Sequence, residues 1–127
     1  MPSPVIRVAH IVPSLEARHG GPSQSVRALA NHLADAGDQV DLLTTFAPGD
    51  SAMQSAGDRA TIRAFPRTAP RFLCPSPALR DHVLGASFDC VHHHSLWLRT
   101  LAYAASAARR QGRPLVISPR SMMSDWA

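Results

Sequence analysis

Residues Val5–Asn31 read VIRVAHIVPSLEARHGGPSQSVRALAN, and their pattern decides the fold. Val5, Ile6, Val8, Ile11 and Val12 are β-branched and apolar, and the run stops at Pro13. A short run that is apolar on both faces suits an interior parallel strand. Gly20 and Gly21 remove side chains where the backbone turns, and Pro22 fits the first helical position, which needs no N–H. Val26, Leu29, Ala30, Leu33 and Ala34 then recur on one helical face. A glycine turn feeding a helix N-terminus presents unpaired N–H groups at a positive dipole end, which suits an anion. The same turn also serves as a plain βα connection that binds nothing, and the residues leave both readings open.

Working outward, the helix is expected to end at Gly37, and Val40–Thr45 (VDLLTT) to form a second strand. Phe46–Asp58 has loop composition, and Ala60–Phe65 (ATIRAF) alternates as a less buried strand near an edge. Pro66, Pro70, Pro75 and Pro77 exclude a regular helix over Arg67–Pro77. A short helix is expected over Pro77–Gly85, a strand over Phe88–His93 and a helix over Leu101–Gln111 that stops before Gly112. Leu115–Ser118 closes the series as a strand. Strands alternating with helices predict a doubly wound α/β fold with a mainly parallel sheet. Ligands of such folds sit beyond the carboxyl ends of the strands. Here those ends are Pro13–Ser23, Thr44–Phe46, His92–Trp97 and Ser118–Arg120.

The 127 residues suffice for one domain with one core. No apolar run reaches membrane-spanning length, and Met1–Pro4 has none of the features of a secretory signal, so none is expected. Cys74 and Cys90 match no metal or redox spacing and are expected to be free thiols in a cytoplasmic protein. All 13 basic residues are arginine, so a P-loop lysine is absent and the GxxxxGK[ST] motif is excluded. Arg59–Arg80 holds five arginines and no acid. It is either a solvated basic loop or a surface that meets an anionic acceptor or membrane face. The arginines are otherwise scattered, and no nucleic-acid partner is expected.

His92, His93 and His94 end a strand, with His92 and His94 on one face and His93 on the other. Two same-face histidines could begin a metal site, but a catalytic zinc takes three protein ligands. No Cys or carboxylate lies at a matching spacing, so neither a metal nor a cofactor is expected. No GxSxG elbow is present, and Gly20 and Gly21 are adjacent, so no GxGxxG fingerprint is present either. A strand-end pocket carrying His, Arg and backbone N–H groups suits a phosphorylated or sugar ligand.

Three segments together resemble a known family. HIVPSLEARHGGPSQSVRALANHLADAGDQVDLLTT is similar to the start of family-4 glycosyltransferases of the GT-B fold. FDCVHHHSLWL resembles their FDvVHvHGLW segment, and PLVISPRSMMSDWA their PyvvSPRGMLepWA segment. The resemblance covers nearly the whole chain, in the right order. It implies an acceptor-side, Rossmann-like N-terminal domain of a retaining glycosyltransferase, truncated at its C-terminal end, with the donor-binding C-terminal domain and its E-x7-E glutamates absent. It further implies that Gly20 and Gly21 face the sugar-nucleotide diphosphate and that His94 acts catalytically near the transferred sugar. His92 and Arg120 would face the same cleft, with Ser23 and Trp97 beside them. The implied partners are a nucleotide-sugar donor and a saccharide or lipid-linked acceptor, at the cytoplasmic side or inner face of a membrane. Ser95 and Ser121 stand where the family has glycine, each adding a Cβ and a hydroxyl where the resemblance implies a close backbone approach. The expectations are therefore a fragment that transfers no sugar alone, a non-catalytic subunit paired with a separate donor-binding chain, or an unrelated α/β binding module.

Overall fold

The computed structural model describes residues 5–15, 21–47, 57–69, 75–95 and 99–119. Its strands are β1 (Arg7–Val12), β2 (Gln39–Phe46), β3 (Thr61–Pro66), β4 (Cys90–His94) and β5 (Leu115–Ser118). Its helices are α1 (Gly21–Asp35), α2 (Pro77–Gly85) and α3 (Arg99–Gln111). The five strands form one sheet in the order β3-β2-β1-β4-β5, and every neighbouring pair is parallel. The expected α/β fold and its mainly parallel sheet are thus observed. The chain builds outward from β1 to β2 and β3, then returns to place β4 on the other side of β1. The topological switch point therefore lies between β1 and β4.

Alternation along the strands divides the interior into two cores. Ala9, Ile11, Leu43 and Val91 face α2 and α3 and pack with Leu79, Val83, Phe88, Tyr103, Ala104 and Ala107. Val12, Val40, Leu42 and Ile62 face the other way and pack with Val26 and Ala30 of α1. The helical face read from the sequence is the one buried. β3 lies at an edge, as its weaker burial pattern predicts, and carries Pro66 at its end, where a missing N–H is tolerated.

The helix ends are built by local chemistry. Gly37, at φ +107°, and Gly112, at φ +63°, take conformations that cost a side-chain-bearing residue energy. Ser76 caps α2, accepting the Leu79 N–H at 3.3 Å, with Pro77 in the first turn. The Tyr103 hydroxyl accepts the Ser76 N–H at 3.1 Å and fixes that cap to α3.

The fourth strand differs from the expected Phe88–His93. It begins at Cys90 and runs on through His94. The Phe88 N–H donates to the Gln111 side chain at 3.2 Å, which ties that residue to the end of α3. The Phe88 ring is buried, with the Arg7 guanidinium 4.7 Å above its centroid. The same arginine pairs with buried Asp41 at 3.1 Å and donates to the Ser87 carbonyl at 3.1 Å, closing the amino end of the sheet. α3 also starts two residues earlier than expected, because Thr100 is drawn into the core against β4.

Candidate functional site

The parallel pairing of β1 with β4 sets His10 directly beside His92. Side chains of paired residues in a parallel ladder share a face, and i, i+2 residues on a strand do too. His10, His92 and His94 are therefore neighbours on the α1 side of the sheet, in the two strands flanking the switch point, with His94 at the carboxyl end of β4. The His10 Nδ1 and His94 Nε2 atoms lie 3.0 Å apart. The His92 and His94 rings stack with centroids 4.0 Å apart and planes inclined by 22°. His10 lies 5.0 Å from His92 and 5.2 Å from His94 by centroids. His92 Nε2 meets the Ser118 hydroxyl of β5 at 2.7 Å. His10 and His94 are each 1% exposed, while His92 is half-buried.

His93 points to the opposite face and is fully buried. Its Nδ1 lies 3.2 Å from the Ser95 carbonyl, and its Nε2 lies 2.7 Å from the Thr100 hydroxyl. The carbonyl can only accept, so Nδ1 carries the proton and Thr100 donates to Nε2. Burial lowers the His93 pKa to about 4; the Ser95 carbonyl opposes that shift and His92 adds slightly to it. His93 is thus a neutral, fully bonded core residue that joins β4 to α3.

Ser95, directly after β4, has φ +146°, in the range that favours glycine. Ser95, which stands where the resembled family has glycine, therefore falls at a positive-φ backbone position. Ser95 is 7% exposed, and its hydroxyl has no hydrogen-bond partner among the described residues.

Of the residues expected at the cleft, His92 and His94 come together, and His10 and Ser118 join them. Gly21 opens α1 and Ser23 lies in its first turn. Gly20, Trp97 and Arg120 lie outside the described residues. His10 is the residue that reasoning along the chain missed. Its only signal was its place on an apolar strand, and the strand register makes it significant.

The basic segment does not act as one unit. Arg59 pairs with Asp35, and Arg80 lies 3.4 Å from Asp81. Arg67 is half-buried at the carboxyl ends of β1 and β2, where it donates to Thr45 Oγ1 at 2.7 Å and to the Pro13 carbonyl at 3.0 Å. Arg71 and Cys74 lie outside the described residues. Cys90 is a free thiol whose pKa burial raises, which keeps it protonated and unreactive. A separate groove between α2 and α3, lined by Arg80, Arg99 and Tyr103, lies away from the histidine cluster.

The family model for the glycosyl transferase 4-like domain matches residues 20–127, well over half of the chain. β1, and with it His10, precedes the matched stretch. No curated protein matches the chain. Among the described residues, no helix is long and apolar enough to cross a membrane.

Proposed function

This chain belongs to the glycosyl transferase 4-like domain family, and from that membership we propose that it is the acceptor-side part of a retaining glycosyltransferase. The reaction moves a sugar from a nucleotide-sugar donor to a hydroxyl acceptor. The anomeric carbon–oxygen bond to the diphosphate breaks, a bond to the acceptor oxygen forms, and the hydroxyl proton is released. The leaving diphosphate gains negative charge, which pre-placed N–H dipoles and cations stabilise. The α1 N-terminus, with Gly20, Gly21 and Ser23, supplies such dipoles, and Arg120 supplies a cation. His94 is the catalytic residue of this reading, bordering the transferred sugar, with His92 beside it and Trp97 a further candidate for the same substrate.

The family match carries the reading. The histidines at the switch point support it, because open α/β sheets bind ligands in that crevice. The acceptor is a saccharide or lipid-linked precursor in polysaccharide or glycolipid synthesis, met on the cytoplasmic side of a membrane. Exposed Arg59, Arg63 and Arg80, as separate charges and not one patch, are the described arginines of Arg59–Arg80 that would meet it. The facing wall of the diphosphate site belongs to a donor-binding domain, supplied in sequence or by a partner chain.

The test is sugar transfer by the purified chain, using labelled nucleotide sugars and hydroxyl acceptors. No turnover is expected from the chain alone, and turnover from it would overturn this assignment of halves. Adding a donor-binding domain of the same family should restore transfer. In that assembly His94→Ala should lower kcat by about 100-fold; unchanged kcat would remove His94 from the chemistry.

A further inference from the structure

We propose that His10, His92 and His94 form a three-histidine site for a zinc-class divalent ion. The proposal rests on side-chain geometry and not on the sugar-transfer reading.

The donor set comes first. The three residues each offer one ring nitrogen, and these atoms all lie within 4.8 Å of one another. Three imidazoles are the ligand set of a zinc site that keeps a fourth position open. Imidazole nitrogens suit zinc, copper and nickel, whereas magnesium and calcium take oxygen ligands. Among the described residues, the cluster holds no carboxylate or thiol.

The geometry is close to what an ion requires. Two nitrogens on one tetrahedral zinc ion stand about 3.4 Å apart, given bonds of about 2.0–2.1 Å. His10 Nδ1 and His94 Nε2 are already 3.0 Å apart. Closing a spacing of at most 4.8 Å takes a relative movement of about 1.4 Å, shared between two rings that can rotate about the Cβ–Cγ bond. Ser118 holds the third ring in place, its hydroxyl engaging His92 Nε2 at 2.7 Å. A hydrogen bond to the nitrogen that does not bind the ion fixes the tautomer and orientation of a metal-binding histidine.

The backbone is also suitable. His92 and His94 project from one face of β4, and His10 comes from the adjacent strand at the same level. Such a platform holds ligands more rigidly than a loop does. An ion bound there would tie β1 to β4 across the switch point.

The experiment uses the full chain, freed of metal and then dialysed against Zn²⁺ at about pH 7.5. Bound zinc is counted, thermal unfolding is followed, and Co²⁺ is substituted to read its visible spectrum. The expected result is one ion per chain, a higher Tm, and the intense bands of four-coordinate Co²⁺. His92→Ala should weaken zinc binding by at least about 100-fold, and His10→Gln and His94→Gln should do likewise. His32→Ala, on exposed α1, should leave it unchanged. His92 is half-buried, so its alanine variant keeps the fold, as circular dichroism would verify. Absence of binding tighter than about 100 μM would overturn the proposal. So would zinc binding that survives His92→Ala or disappears with His32→Ala. None of these readouts involves a sugar, so the metal site and the transferase assignment can each fail alone.

Discussion

The two faces of β4 carry the same residue type and use it in opposite ways. His93 faces α3, is sealed from solvent, and has both ring nitrogens bonded to fixed partners. His92 and His94 face the α1 side, stack on each other, and meet His10 from β1. One face makes histidine a structural tie, because a hydroxyl and a carbonyl complete its bonding and nothing further can approach. The other gathers three rings whose nitrogens all lie within 4.8 Å of one another. Imidazole chemistry alone does not distinguish the two roles; the groups that meet each face do.

The largest expected effect comes from breaking the structural side. His93→Ala removes a buried ring and leaves the Thr100 hydroxyl without its partner, so it should cost about 3–4 kcal/mol. His92→Ala, half-buried, should cost less than about 1 kcal/mol. Urea unfolding of both variants checks the contrast, and equal losses would abolish it.

A second effect, of about 2 kcal/mol, appears with pH. Folded His93 takes up its proton only near pH 4, while the unfolded residue does so near 6.5. Between those values the unfolded chain binds more protons, so stability falls as pH drops from 6.5 towards 4. Above 6.5 the His93 contribution is complete. Denaturant midpoints at pH 7 and pH 5 should show the loss in the wild type, and the His93→Gln variant should lose about 2 kcal/mol less. An unchanged slope in that variant would assign the titration to other groups.

The smallest effect is a gain. Ser95→Gly relieves backbone strain at φ +146° and removes a buried hydroxyl without a partner among the described residues. The strain is worth about 1–3 kcal/mol, and the added freedom of glycine in the unfolded chain offsets about 1 kcal/mol of it. A net stabilisation of about 1 kcal/mol is expected, measurable as a raised Tm. The Ser95 carbonyl that accepts from His93 is retained, so the structural face should keep its pH dependence while becoming more stable. A lower Tm would show that the serine side chain contributes more than its geometry indicates.

Much of the fold was legible because its signals are local. The β-branched run at β1, the helical spacing from Val26 to Ala34, and Gly37 and Gly112 at helix ends each depend on nearby residues. The shift of β4 was not legible, because it depends on Gln111 and Arg7, remote in sequence, capturing the Phe88 segment. Arg67 was grouped with a basic loop, yet it bonds to the Pro13 carbonyl that chain folding brings beside it.

The candidate site divides along the same line. Strand alternation alone puts His92 and His94 on one face and His93 on the other, since the side-chain period of two is a property of extended backbone. Composition and periodicity likewise suffice for a parallel α/β sheet with ligand chemistry at its carboxyl ends. The third histidine was beyond that reasoning. His10 stands opposite His92 only because β4 pairs with β1, in a register held by the buried surface of both strands. Such long-range pairing is decided by the whole core at once, and the tertiary structure alone turned a two-histidine strand end into a three-histidine cluster.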